Sequence, residues 1–342
     1  MTSVSQAAIL FVGHGSRDIG AVEEFHQLAA HFRQRFPDRL IETAFLEFAR
    51  PIIADGVKKL VDQGAKHILA IPGMLMAGVH VKNDIPSELN ALQAEFGVKI
   101  DFGSHLDISS PMLKAAQARI EQAEVEFGKD YKREDTLLMV VGRGASDADA
   151  NSNISKITRF LEEGMGFGWA TTSYSGVTYP LVDQGLAKIH ALGFKQVIVF
   201  PYFLFTGRLI KRIHAWVDDY ASANPAVKVV KAPYLNDHSY VIDAFVEKLQ
   251  ELEQGHPNMN CQLCQYRVQI IGAEHKIGTP QESHHHHVQG IGTDADHHHS
   301  HDHSHSHGHH HAHSHSHDHS HKHDHKHDHD HGHSHPSSQT KK

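Results

Sequence analysis

The chain has 342 residues, a formal net charge of −8 and 37 histidines. The negative balance argues against a nucleic-acid partner, which is read through a basic face, and no apolar run approaches the ~20 residues of a membrane span. Met1 to Gln6 carries no basic residue and the apolar run behind it is short for a secretory signal, so a cytoplasmic protein is expected.

The first apolar run, Ala7 to Val12, ends in Gly13-His14-Gly15-Ser16. A strand therefore stops at a turn whose only large side chain is an imidazole, where two glycines let the backbone bend and a ligand come close. Ile19 to Phe36 follows as an amphipathic helix, with Val22, Phe25, Leu28, Ala29 and Phe32 at helical spacing. Ile41 to Phe48 is strand-like. Ile52 to Gln63 is a helix that Pro51 opens and Gly64 ends. His67 to Ile71 is a short strand, and Met74 to Pro86 reads as a loop. Helix Ser87–Phe96, strand Val98–Phe102 and helix Pro111–Phe127 complete the first stretch. Strands alternating with helices imply βαβ units and a mainly parallel sheet flanked by helices.

The pattern then restarts. Leu137 to Ala145 echoes Ala8 to Ser16 at an offset of 129, and the same ungapped offset maps Pro51 onto Pro180, Gly64 onto Gly193, Pro72 onto Pro201 and Gly78 onto Gly207. Repeated punctuation implies two copies of one α/β fold in tandem. The expected organisation is 1–130 for a first half bearing the site, 131–254 for a degenerate second half, 255–282 for a linker and 283–342 for a tail. At this offset His14 becomes Arg143, Glu47 becomes Gly176 and His80 becomes Leu209. The second copy thus keeps the fold while losing three polar side chains together, which places one site in the first half.

His14, Glu47 and His80 are spaced at equal intervals of 33 residues, and each follows a predicted strand. Ligands bind outside the carboxyl ends of strands in open α/β sheets, so adjacent strands would gather all three at one edge. Two imidazoles and a carboxylate suit a divalent first-row metal with open positions, and the same groups can act as bases. Met74, Leu75 and Met76 suit an apolar wall for a flat ligand. Arg17, Arg50 and Lys82, and Arg208, Lys211 and Arg212 in the second copy, are placed to neutralise an acidic one.

Gly13-His14-Gly15-Ser16-Arg17, Phe45-Leu46-Glu47 and the run Gly78 to Pro86 resemble the class II tetrapyrrole chelatases, in particular the long-form sirohydrochlorin chelatases, over about residues 7–254 and into the tail. The resemblance implies two similar halves facing each other across a cleft, only the first with both histidines. It implies insertion of Co2+, or secondarily Fe2+, into sirohydrochlorin, a flat polycarboxylate tetrapyrrole of cobalamin and sirohaem synthesis. His14 and His80 would be the metal-binding and proton-accepting pair, assisted by Glu47.

Beyond residue 254 lies Met259-Asn260-Cys261-Gln262-Leu263-Cys264, containing both cysteines of the chain. A C-x-x-C pair holds one face of a metal or cluster, or forms a redox disulfide. The resemblance implies a [4Fe–4S] cluster, which with two cysteines requires a homodimer or other ligands. From His284 to His335 the chain contains 26 histidines among serines, aspartates and lysines. Such a segment has too few apolar side chains for a core, so disorder is expected, with loose binding of Ni2+, Co2+ or Zn2+. The competing function is a non-enzymatic metal store or metallochaperone acting through this tail; a histidine phosphotransfer enzyme is a third reading, weakened by the lack of a second arginine-histidine-glycine signature.

Overall fold

A computed structural model of the chain describes residues 7–129 and 131–256. Cys261, Cys264 and the histidine-rich 283–342 lie outside the described residues. Two four-stranded sheets, all parallel, make up the fold. In the first, β1 (Ala8–Gly13) lies between β2 (Ile41–Phe45) and β3 (His67–Pro72), with β4 (Lys99–Phe102) outside β3. In the second, β5 (Thr136–Gly142) lies between β6 (Trp169–Tyr174) and β7 (Gln196–Pro201), with β8 (Lys228–Lys231) outside β7. Every residue of β1 and β5 is buried, as expected of central strands covered by helices on both faces.

Helices α1 (Ile19–Gln34), α2 (Ile53–Asp62), α3 (Ile85–Phe96) and α4 (Ser110–Glu124) belong to the first copy; α5 (Ala148–Met165), α6 (Val182–His190), α7 (Arg208–Ala223) and α8 (Ser239–Glu253) belong to the second. Asp18 caps α1 by accepting from Gly20 N at 3.1 Å, and Asp147 caps α5 by accepting from Asp149 N at 3.0 Å, each satisfying a backbone donor at a helix start. These two aspartates are themselves 129 residues apart.

The repeat extends to backbone detail. Phe48 and Val177 occupy the left-handed region at φ +64° and +68°, and Gly15 and Gly144 do so at +92° and +84°. Phe48 explains why β2 stops at Phe45 rather than running on to residue 48: the chain turns there, with Ala49 N donating to Glu47 O at 2.8 Å. One departure stands out. Where the second copy has the regular helix α7 from Arg208 onward, the first copy begins with a π-helical turn, His80–Asp84, that leads into α3. The stretch read from sequence as a loop is therefore helical from His80.

The two copies also exchange helices. α4 lies against α5, β7 and β8, whereas α8 lies against α1 and β3. A single hydrophobic cluster in consequence draws on both: Phe11 packs against Phe25 and Phe32 of its own half, with ring centroids at 5.3 and 5.5 Å, and against Phe245 of α8 at 4.7 Å. Among the described residues no helix is long and apolar enough to cross a membrane.

Candidate metal and macrocycle site

His14 is the first residue after β1, and Glu47 lies two residues beyond β2. Because β1 is hydrogen-bonded to both β2 and β3, their carboxyl ends sit side by side. Leu46 N donates to Gly13 O at 2.9 Å and Glu47 N to His14 O at 3.0 Å, which continues the pairing past the strands and fixes the two side chains together. His80 does not stand at a strand end. It comes from the π turn eight residues after β3, which folds back over the same edge. The three residues each offer a ligand atom within 4.8 Å of the others. They form the one such group of three or more histidine, cysteine or acidic side chains among the described residues.

The hydrogen bonds orient both imidazoles. His14 Nδ1 lies 3.1 Å from the carbonyl oxygen of Gly15; a carbonyl only accepts, so Nδ1 carries the proton and Nε2 keeps its lone pair. His14 Nε2 is 3.3 Å from Glu47 Oε1 and makes no hydrogen bond. His80 Nδ1 lies 2.7 Å from Asp84 Oδ2, and the carboxylate sets the same tautomer, leaving Nε2 as the free donor atom. Asp84 is 4% exposed and is a carboxylate–histidine support of the kind that fixes metal ligands. The two rings meet edge to face, centroids 4.7 Å apart.

Burial is the main cause, with the His80 ring and the Arg143 guanidinium adding to it, that brings the His14 pKa down to about 4. His14 is thus neutral and nucleophilic at physiological pH. A folded value below the unfolded 6.5 means the unfolded chain takes up the proton first, so this group destabilises the fold progressively as pH falls from 6.5 toward 4. We expect the His14 ring resonances of the metal-free protein to titrate near pH 4 by NMR; a midpoint near 6.5 contradicts the burial argument.

His14 and His80 line a cavity of about 860 Å³. Phe48, Met74, Leu75 and Met76 line it from the first half and Phe203, Leu204, Phe205 and Leu209 from the second. Glu24 ties the halves at this wall, accepting from Thr206 N at 2.7 Å and from Tyr234 OH at 2.6 Å. Arg17, Arg143, Arg208 and Arg212 also line the cavity; Arg17 lies over the Phe48 ring at 4.9 Å and Arg212 over Trp216 at 5.1 Å.

Three of the basic side chains expected to meet a ligand, Lys82, Arg50 and Lys211, are engaged elsewhere. The Lys82 side chain is 0% exposed and pairs with Asp147 and Asp149, so it is closed to a ligand. Arg50 pairs with Asp55 at 3.2 Å and Lys211 with Asp18 at 2.6 Å, and neither lines the cavity. The second copy has not left the site, since Arg143 and Leu209, at the positions of His14 and His80, face the same cavity. Asp84 was missed because its stretch read as a loop; its i+4 spacing from His80 was the available signal.

Two tandem parallel-sheet halves sharing an apolar, guanidinium-lined cavity, with two histidines and a glutamate grouped at one sheet edge, are the architecture of a chelatase of the two-half type. The model of the CbiX family matches residues 8–123 and again residues 137–252. The chain belongs to this family. It is 37% identical over 266 residues to the sirohydrochlorin cobaltochelatase of Priestia megaterium, covering 77% of this chain and 86% of that one. It is 30% identical over 236 residues to the sirohydrochlorin ferrochelatase of the same organism, covering 68% and 85%. The solved structure of the sirohydrochlorin chelatase SirB from Bacillus subtilis subspecies spizizenii in complex with cobalt aligns with a TM-score of 0.62 at 26% identity, covering 74% of this chain and 99% of that one.

Proposed function

We propose that this chain inserts a divalent metal, Co2+ first and Fe2+ second, into sirohydrochlorin, with His14, His80 and Glu47 as the metal-handling and catalytic residues. The observation that supports this best is that two imidazoles, with the Glu47 carboxylate beside them, line a cavity large enough for a planar guest. The ion sheds water to His14, His80 and Glu47, and the macrocycle lies against Phe48 and the Met74–Met76 wall. Its carboxylates meet Arg17, Arg143, Arg208 and Arg212, which match them geometrically. Two pyrrole N–H protons must leave as the metal enters. Once the ion has passed to the ring, His14, held neutral by its surroundings, accepts one at the vacated Nε2 and hands it to Glu47, 3.3 Å away, while His80 accepts the other at its own Nε2. Remote contacts supply the energy to bend the ring and expose its nitrogens.

The test is an insertion assay followed by absorption, offering Co2+, Fe2+ and Ni2+ in turn with sirohydrochlorin. Metal-dependent spectral change faster than without protein is expected, with cobalt and iron outpacing nickel; no acceleration with any ion overturns the reading. A metal store has no use for the cavity.

Two further parts of the proposal concern the carboxyl-terminal region. Cys261 and Cys264 would provide two of the four ligands of a [4Fe–4S] site, the rest coming from a second chain in a homodimer or from non-cysteine groups; anaerobic iron content per chain and oligomeric state test it together. The tail gathers Ni2+, Co2+ or Zn2+ and raises its local concentration at the site. Deleting residues 283–342 is expected to lower metal stoichiometry several-fold while sparing insertion at saturating metal. Lost insertion at saturating metal contradicts a delivery role.

A further inference from the structure

The π turn that carries His80 is anchored from the other half of the molecule. Lys82, two residues along the same turn, reaches across to Asp147 at 2.5 Å and Asp149 at 3.4 Å. Its side chain is 0% exposed, and the two carboxylate side chains are 7% and 14% exposed. An ammonium withdrawn from water is tolerated only where carboxylates compensate it, so the pair fixes the turn to the start of α5.

The repeat supplies an internal control. Lys211 and Asp18 stand 129 residues from Lys82 and Asp147, and they form the equivalent pair at 2.6 Å in the opposite direction. There the lysine side chain is 67% exposed and belongs to a regular α-helix. The pair is thus duplicated, but only the copy beside His80 is sealed, and only that copy holds a π turn. Isolated π turns are rare and cluster at functional sites, where tertiary contacts sustain them.

We infer that Asp147 and Asp149 of the second half, acting through Lys82, are positioning residues for His80. A half that has lost its own imidazoles is retained in part as the clamp that holds the other half's imidazole against Asp84 and the incoming ion. The inference rests on the reading of His80 as a metal ligand.

The test compares full-length Lys82→Met, Asp147→Asn and Lys211→Met. Asparagine caps a helix about as well as aspartate, so Asp147→Asn removes the charge and spares α5 should Lys82→Met fail to fold. For Lys82→Met and Asp147→Asn we expect kcat to fall roughly 100-fold, the scale of an ångström-level misplacement, with KM for the tetrapyrrole within about threefold. Lys211→Met is expected to stay within about twofold, as exposed pairs contribute little. In the metal-free proteins, the downfield NMR signal of His80 Nδ1–H bound to Asp84 is expected to shift or broaden in the first two variants and persist in the third. This signal reports on positioning even if the wild-type chain inserts no metal. Folded Lys82→Met and Asp147→Asn proteins with unchanged kcat and an unchanged His80 signal overturn the inference, as does an equal loss in Lys211→Met.

Discussion

His14→Ala and His80→Ala are each expected to lower kcat for metal insertion by on the order of 10³-fold, with melting temperatures close to that of the unmodified protein. The first part follows from what each ring supplies. His14 brings a lone pair kept deprotonated by burial and by the positive charge of Arg143, and His80 brings one set by Asp84 at 2.7 Å. Neither role has a substitute within reach, because the equivalent positions of the second half carry Arg143 and Leu209. The second part follows from exposure. The two side chains are 28% and 30% exposed, and truncating partly exposed side chains at a cavity rim leaves no sealed void. Asp84→Asn is expected to lose less, about 10- to 100-fold, since it orients a ligand without being one. Stopped insertion measured with excess metal, beside thermal melting, checks all three. Near-normal turnover in both histidine variants contradicts the assignment.

Gly15→Ala is expected to disable the site by a different route, through the backbone. Gly15 sits at φ +92°, and a Cβ built on it would lie 1.7 Å from the carbonyl oxygen of Glu47. That oxygen belongs to main chain held by hydrogen bonds to Gly13 O and His14 O, so it cannot move without parting His14 from Glu47. A cost above about 4 kcal/mol and a melting temperature lower by roughly 10 °C are expected, with insertion lost. Gly64→Ala separates the two causes. Gly64 has the same φ of +92° but nothing within 4 Å of the added carbon, so only the conformational penalty of about 1 kcal/mol applies. Equal melting shifts for the two variants would show that the close approach to Glu47 O contributes nothing.

Much of this was legible in the sequence, for reasons that differ from element to element. The strands were readable because fully covered parallel strands must be continuously apolar, as Ala8 to Val12 and Leu137 to Val141 are. The tandem fold was readable because glycine and proline positions survive where side-chain chemistry does not. The convergence of His14 and Glu47 was readable because one βα unit separates adjacent parallel strands. The π turn was not: Met74 to Pro86 follows Pro72-Gly73, ends in a proline and has no apolar period, and Lys82 in that turn pairs with carboxylates 65 and 67 residues away. The helix exchange was equally hidden, since α4 and α8 have the same amphipathic pattern whichever sheet they cover. The role of Arg143 is hidden because the loss of an imidazole at that position does not show that the strand end still faces the shared cavity.

Two identical polypeptides around a rotation axis would offer a flat ring the same chemistry on either side, and either side could then face the metal. Joining the copies in one chain lets equivalent positions differ, so that the first copy brings two nitrogen bases to the cavity and the second a guanidinium and a leucine. A macrocycle with unlike faces would meet unlike chemistry from the two copies, and the difference between residues 14 and 143 would bias which face turns toward the nitrogen bases.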